Sequence, residues 1–166
     1  MNAESELILK ITLTGLGATL LMDLWALLLK RFFNIQSLNW AMAGRWIGHM
    51  QSGRFKHVSI AKATAIRGEL QIGWLAHYAT GIFFAALLTA IAGPEWLAQP
   101  TALTTILFGI ATVAFPFFIM QPSMGAGLAA SKTPNPKQAR LRSLMTHTVF
   151  GMGLYGTALG LSLLRI

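Results

Sequence analysis

Three ionisable side chains lie inside long apolar segments of this sequence, and all three fall at a similar depth. Asp23 lies eight residues before the basic end of the first segment. His77 lies eight residues after Glu69, which precedes the second segment, and His147 lies seven residues after Arg140, which precedes the fourth. At the helical rise per residue, each side chain is about 10–12 Å inside its helix. An acid and two imidazoles at one level of a membrane bundle indicate a functional site, because ionisable groups are costly there.

This set of side chains is compatible with several chemistries. Imidazole titrates near neutral pH, so Asp23 with His77 and His147 could relay protons. The same three could bind a divalent metal as a facial triad, and a haem could lie between the two histidines. A purely structural role, in which the carboxylate only accepts hydrogen bonds that fix the bundle, is the competing interpretation. We predict no cofactor, and we expect Asp23 to lie within hydrogen-bonding reach of at least one histidine.

The composition is that of a membrane protein. Of 166 residues, 54% are hydrophobic and 11% are charged, against about 25% charged residues in an average soluble domain. Four segments are long enough to cross ~30 Å of hydrocarbon. We therefore predict an all-α polytopic membrane protein whose residues 1–166 form one four-helix domain, arranged as two tandem hairpins. The predicted spans are Leu7–Leu29, Leu70–Ala92, Thr101–Met120 and Leu141–Leu163.

The net charge of +8 is concentrated in two of the connections. Lysines and arginines cluster after the first span and between the third and fourth, whereas the connection between the second and third holds only Glu95. This bias predicts cytoplasmic basic loops, with both termini and the connection between the second and third spans outside. It is a topology signal, so we do not expect nucleic-acid binding. Anionic lipid headgroups are the expected partners of the basic loops.

The first basic loop contains an amphipathic pattern. Leu38, Met42, Trp46 and Met50 recur at a spacing of four residues, which predicts an interfacial helix of about three turns. In the third span, Pro116 predicts a kink, and Gln121 is expected to close the site from the loop side. Residues expected at the rim of the site are Arg45, Trp46, His49, Arg54, Arg67, Tyr78, Arg140 and Arg142.

The rim arginines have two interpretations. Guanidinium groups could recognise a phosphate or a carboxylate bidentately, or they could serve as topology determinants and headgroup contacts. Glu69, the acid among these loops, is expected to pair with a nearby arginine. Because the sequence has no cysteine, disulfides and thiolate catalysis are excluded.

Several short motifs are distributed along nearly the whole chain. They include Gly17-Ala18-Thr19, Met22-Asp23-Leu24-Trp25, Gly44-Arg45-Trp46, Gly73-Trp74-Leu75-Ala76-His77-Tyr78 and Gln121-Pro122-Ser123-Met124-Gly125-Ala126-Gly127. In these motifs the chain resembles a bacterial family of small membrane proteins, the group catalogued as domain of unknown function 2938. The resemblance implies a four-span inner-membrane protein and no particular chemistry, because the family has no established activity.

Three functions remain open from the residues alone. The first is binding or transport of a proton, or of a small anionic or amphiphilic ligand, in a pocket open to the cytoplasm. The second is a membrane enzyme on a lipid-like substrate, with a histidine as general base and Asp23 orienting it. The third is a homo-oligomer or helper subunit of a larger complex that packs through Gly156-x-x-x-Gly160. Nothing in the sequence forms a Gly-x-Ser-x-Gly elbow, so an enzyme is not our first expectation.

Overall fold

The computed structural model of the chain describes residues 2–164, and within that range it contains helices and no strand. The prediction of an all-α protein is therefore confirmed. Short turns of 3-10 helix connect some of the α-helices. The α-helices are α1 (Ala3–Phe33), α2 (Trp40–Met50), α3 (Glu69–Ala92), α4 (Ala102–Ala111), α5 (Gln121–Ser123) and α6 (Pro136–Leu163).

Local signals account for the bounds of the first two helices. The side chain of Asn2 caps α1 by accepting from the Ser5 backbone N–H at 2.8 Å, which satisfies a donor that the first turn leaves unpaired. α1 ends where Asn34 adopts a left-handed conformation with φ 53°, a common helix stop. Asn39 caps α2 in the same way, accepting from the Ala41 N–H at 3.0 Å. α2 is the predicted amphipathic helix of three turns.

Three helical stretches are long and apolar enough to cross a membrane: Ala3–Phe33, Glu69–Ala92 and Ala102–Ser123. Only 22–28% of the residues in their most apolar windows are buried, so most residues of these windows are at least partly exposed. α6 has 28 residues but a lower mean hydropathy, because its first turns contain Lys137, Gln138, Arg140 and Arg142.

The chain forms two compact units. The bundle unit comprises residues 1–36, 78–112 and 145–166, and the loop unit comprises residues 37–77 and 113–144. The core of the bundle unit includes Ala18, Ala85, Leu88, Phe150 and Leu154. The small side chains among them, Ala18 and Ala85, let neighbouring helix backbones approach closely.

Two glycine contacts define helix crossings in the bundle unit. A Cβ added at Gly15 of α1 would lie 2.5 Å from the Cα of Ile82 in α3. A Cβ added at Gly109 of α4 would lie 2.5 Å from the Cα of Gly151 in α6. At both places the neighbour is backbone, so only glycine fits without a shift of the helices.

The loop unit is built around α2. Trp46, Ile60 and Met124 form its buried cluster, and the Ile60 N–H donates to the Met124 carbonyl at 3.0 Å. The Trp46 indole N–H donates to the Phe55 carbonyl at 2.9 Å. These bonds hold the connection after α2, which contains one short 3-10 turn at Ile60–Lys62, in a fixed conformation.

The predicted third span is not one regular helix. α4 ends at Ala111, and the chain continues into a π-helical turn at Pro116–Met120. The Gln121 N–H there reaches the Pro116 carbonyl, five residues back. The irregularity expected from Pro116 is therefore present, and the helix is interrupted at Thr112, the residue whose carbonyl a proline at position 116 leaves without its helical donor.

Candidate functional site

The carboxylate of Asp23 is bound by a tyrosine. The Tyr78 hydroxyl on α3 donates to Asp23 Oδ2 on α1 at 2.9 Å, and both side chains are half-buried. Tyr78 lies one turn from Gly81, whose added Cβ would meet the Thr19 side chain and the Gly15 carbonyl of α1. The close approach at these small residues therefore brings the two polar side chains within reach of each other.

The imidazole of His147 is bound by a threonine. The Thr112 hydroxyl lies 2.7 Å from His147 Nδ1 and donates to the Gly109 carbonyl at 2.6 Å. Because a hydroxyl has one proton, the bond to Gly109 leaves Thr112 as acceptor of the Nδ1–H. This arrangement fixes the tautomer in which a neutral His147 carries its proton on Nδ1. The pair also joins the end of α4 to α6, next to the Gly109–Gly151 crossing.

His77 belongs to the loop unit and lies among aromatic rings. It is only 9% exposed. Its ring stacks on Trp40 with centroids 3.8 Å apart and planes 25° apart, and Trp74 lies 5.8 Å away. Trp40 and Trp74 also contact each other at 5.6 Å.

Arg45, expected at the rim, has a structural role. Its Nε and one terminal nitrogen bind the two carboxylate oxygens of Glu69, both at 2.8 Å. The other terminal nitrogen donates to backbone carbonyls of the same unit, the shortest at 3.0 Å to Ala63. The hydrogen bond to Glu69 raises the pKa of the Arg45 guanidinium above its ordinary value. The pairing expected for Glu69 is thus present, and its geometry is the bidentate one that arginine favours.

The other aromatic and imidazole groups of the rim set are also bound within the loop unit. Trp46 is 7% exposed. His49 Nε2 lies 2.9 Å from the Thr64 carbonyl, and its ring contacts His57 edge-on at 5.0 Å. Burial lowers the pKa of His57, and the nearby charges of His49 and Arg54 lower it further.

The remaining predicted residues of the loop unit differ in exposure. The side-chain oxygen of Gln121 is buried without a hydrogen-bond partner among residues 2–164. Arg140 Nε donates to the carbonyl of Ala129 at 2.8 Å, a residue held at φ 45°. Arg54 and Arg67 are exposed, and Arg142 is half-buried.

The predicted site residues are distributed over both units. Asp23, Tyr78 and His147 belong to the bundle unit; His77, Gln121 and the other rim residues belong to the loop unit. In the part of the chain that the structure describes, no group of three or more His, Cys, Asp or Glu side chains is arranged to hold a metal ion. The approach of Asp23 to a histidine stays a prediction.

Sequence reasoning missed two partners of the central residues. Tyr78 was placed at the rim, although it lies only one residue further into α3 than His77, and its depth alone could have suggested it as a donor to Asp23. Thr112 was not considered. A threonine hydroxyl usually bonds its own helix, and nothing in its neighbourhood marks it as a partner of His147.

The fold and these contacts define a class: an α-helical protein with membrane-compatible helices and polar side chains hydrogen-bonded between them. A family model described as "Protein of unknown function (DUF2938)" matches residues 12–161, so the chain belongs to that family. No curated protein and no solved structure matches it.

Proposed function

We propose that this protein is a bacterial inner-membrane protein that binds or transports a proton, or a small anionic or amphiphilic ligand, at a polar site centred on Asp23. The observation that carries the proposal is the 2.9 Å hydrogen bond from Tyr78 to Asp23. It joins two helices that are apolar enough to cross a membrane. A carboxylate within such a helix costs roughly 2.5–3.5 kcal/mol at mid-bilayer, whereas interhelical hydrogen bonds average only ~0.6 kcal/mol. The stabilisation from one interhelical hydrogen bond therefore does not offset the cost of a carboxylate at this position.

The proposed topology has four spans, with α6 as the fourth. Contacts support antiparallel packing of α1 and α3: Gly15 meets Ile82, whereas Asp23, further along α1, meets Tyr78, which is earlier in α3. The basic connections after α1 and before α6 support a cytoplasmic location for both loops. The two hairpins would then enter and leave the membrane on the same side.

The chemistry follows from the donors and acceptors present. An ionised Asp23 accepts the Tyr78 hydrogen bond; protonation of the carboxylate weakens that bond and frees the hydroxyl to turn to another acceptor. A bound proton is thereby coupled to the contact between α1 and α3. His147, whose Nδ1–H is directed to Thr112, is the second titratable group of the same unit that a proton path could use.

The test is proton flux in proteoliposomes that contain the full chain. Asp23→Asn should abolish flux while insertion and the melting temperature are retained, and Tyr78→Phe should reduce flux strongly. Glu95→Gln is the matched control, because this carboxylate is exposed and lies outside α3 and α4. Unchanged flux in Asp23→Asn, or equal loss in Glu95→Gln, would contradict a proton path through Asp23.

A second candidate function is a membrane enzyme that acts on a lipid-like substrate. The observation that favours it is the hydrogen-bond chain from Gly109 through Thr112 to His147. This chain holds the imidazole in one orientation, which a general base requires. Deletion of the gene should then change the level of at least one lipid class, and His147→Gln should reproduce the change. A lipid profile identical to that of the parent strain in every class would exclude this candidate.

A further inference from the structure

The loop unit displays two large apolar side chains at one exposed turn. Phe55 is 58% exposed and Val58 is 99% exposed. Both belong to residues 54–58, which we call the tip. Apolar side chains that are this exposed contribute little burial energy to the fold of their own chain. Neighbouring exposed apolar side chains therefore indicate a contact surface.

The backbone of the tip is fixed from several directions. The Phe55 carbonyl accepts from the Trp46 indole at 2.9 Å. The Arg54 N–H donates to the His49 carbonyl at 3.2 Å, and the His57 N–H donates to the Ser123 carbonyl at 2.8 Å. The exposed side chains are therefore held outward by an ordered turn. Ordering them costs no further backbone entropy when they meet a partner.

The charge around the tip is entirely positive. Arg54 and Lys56 flank Phe55 and are exposed. Residues 51–68 also contain Lys62 and Arg67 and have no Asp or Glu. The nearest acid in sequence, Glu69, is occupied by Arg45. The partner of this surface is therefore anionic, and a cation site at His49 and His57 is disfavoured by the same charges.

Exposed apolar groups between cations fit a bilayer interface better than a soluble anion. Aromatic and aliphatic side chains partition into the boundary between headgroups and acyl chains, while lysine and arginine bind the phosphates. A nucleic acid or a free phosphate would use Arg54 and Lys56 but would leave Phe55 and Val58 in water. The helices that could cross a membrane belong to the same chain, so a bilayer is a partner that needs no separate recruitment.

We propose that the tip is a lipid-binding element: Phe55 and Val58 insert at the headgroup–acyl boundary of the surrounding membrane, and Arg54 and Lys56 bind its anionic phospholipid headgroups. This inference is independent of the polar site at Asp23. Insertion of the tip then depends on lipid composition. A neutral bilayer offers the apolar boundary for Phe55 and Val58 but no anionic headgroup for Arg54 and Lys56.

The absence of native cysteine makes a site-specific probe straightforward. Val58→Cys in the full chain is labelled with an environment-sensitive dye and reconstituted into vesicles of phosphatidylcholine alone or mixed with phosphatidylglycerol. We expect blue-shifted emission, and quenching by lipids brominated on the acyl chain, only in the phosphatidylglycerol vesicles. High salt should reverse both signals, because it screens exposed charges.

The decisive variant adds Arg54→Gln and Lys56→Gln to the labelled chain. Each basic residue near an anionic surface changes the equilibrium constant for membrane binding about five-fold. Loss of both should therefore lower the equilibrium constant for insertion of the tip by about 25-fold. The matched control carries the dye at the exposed position Gln138 of the same unit, where the double substitution should change nothing. Far-UV circular dichroism and gel filtration show whether each variant is folded.

Three results would overturn the proposal. The first is equal emission from position 58 in neutral and anionic vesicles. The second is a signal that survives the loss of both cations in a folded variant. The third is shielding of position 58 that requires added cytoplasmic protein and is absent in pure lipid vesicles, which would assign the tip to a protein partner instead.

Discussion

Replacement of Gly15 by alanine should destabilise the bundle unit, and the structure allows the size of the effect to be worked out. The added Cβ would lie 2.5 Å from the Ile82 Cα and 2.8 Å from the Gly81 carbonyl oxygen. Restoring an ordinary separation of 3.4 Å requires a relative shift of 0.9 Å between α1 and α3, since both neighbours are backbone. Overpacking of this kind costs about 1–3 kcal/mol, and the gain in helix propensity returns up to ~1 kcal/mol. The expected net loss is about 2 kcal/mol, at the upper end because backbone atoms cannot rotate away.

The matched control is Gly156→Ala in α6. An added Cβ at this position meets nothing within 4 Å, so only the helix-propensity gain of up to ~1 kcal/mol applies. Thermal unfolding in mild detergent, followed by far-UV circular dichroism, should place the midpoint of Gly15→Ala about 4–8 °C below that of the parent chain. The midpoint of Gly156→Ala should be equal to the parent's or higher. A Gly15→Ala chain that melts at the parent temperature would refute the close crossing of α1 and α3.

Three further outcomes are expected in the same unfolding assay. Glu69→Gln should lower the unfolding midpoint, because it leaves the Arg45 guanidinium without its bidentate carboxylate partner. Glu69→Asp keeps the negative charge and should lower the midpoint less. An unchanged midpoint for both variants would contradict a stabilising Arg45–Glu69 pair. Trp96→Phe removes the 3.1 Å hydrogen bond to Thr89 and should lower the free energy of unfolding by about 1 kcal/mol. Adding Thr89→Val to the Trp96→Phe chain should lower it no further. Finally, because burial lowers the folded-state pKa of His57 below 6.5, the unfolded chain binds the proton more readily. Stability should therefore be complete above pH 6.5 and decline as the pH falls below it, and His57→Gln should make that decline shallower.

The bounds of α3 were accessible from the sequence for a physical reason. The predicted span Leu70–Ala92 differs from the observed helix by one residue. Glycines lie on both sides of the helix, Gly68 with φ 76° and Gly93 with φ 83°, and such left-handed positions interrupt a helix at low cost. Apolar composition gave the length of the helix, and the flanking glycines gave its ends.

The partners of the polar side chains were less accessible. Helix rise gives the depth of Asp23 along α1, but the rotation of each helix about its axis depends on packing. That packing is set by close contacts of Gly15 and Gly81, and the sequence alone does not say which helix each of these glycines meets. The sequence therefore did not identify the Tyr78 hydroxyl as the donor to Asp23.

The interruption of the third span follows largely from one residue. Pro116 lacks a backbone donor, and this predicted an irregular helix. The carbonyl that loses its partner is the one four residues earlier, that of Thr112, and the proline ring clashes with it, so the regular helix ends at Ala111. The hydrogen bonds of Thr112 to Gly109 and to His147 contribute at the point where the regular helix stops.

The π-helical turn at Pro116–Met120 changes the register of everything that follows it. A turn closed by a bond from Gln121 to Pro116 contains one residue more than an α-helical turn, which is equivalent to a single-residue insertion. With 3.6 residues per turn, one extra residue rotates the following side chains by about 100° around the helix axis. The burial of the Gln121 side-chain oxygen is thus a property of the chain length between positions 116 and 121, not of the glutamine alone. Deleting one exposed residue of that turn, such as Phe118, would keep every polar group in the sequence and still direct Gln121 to a different face.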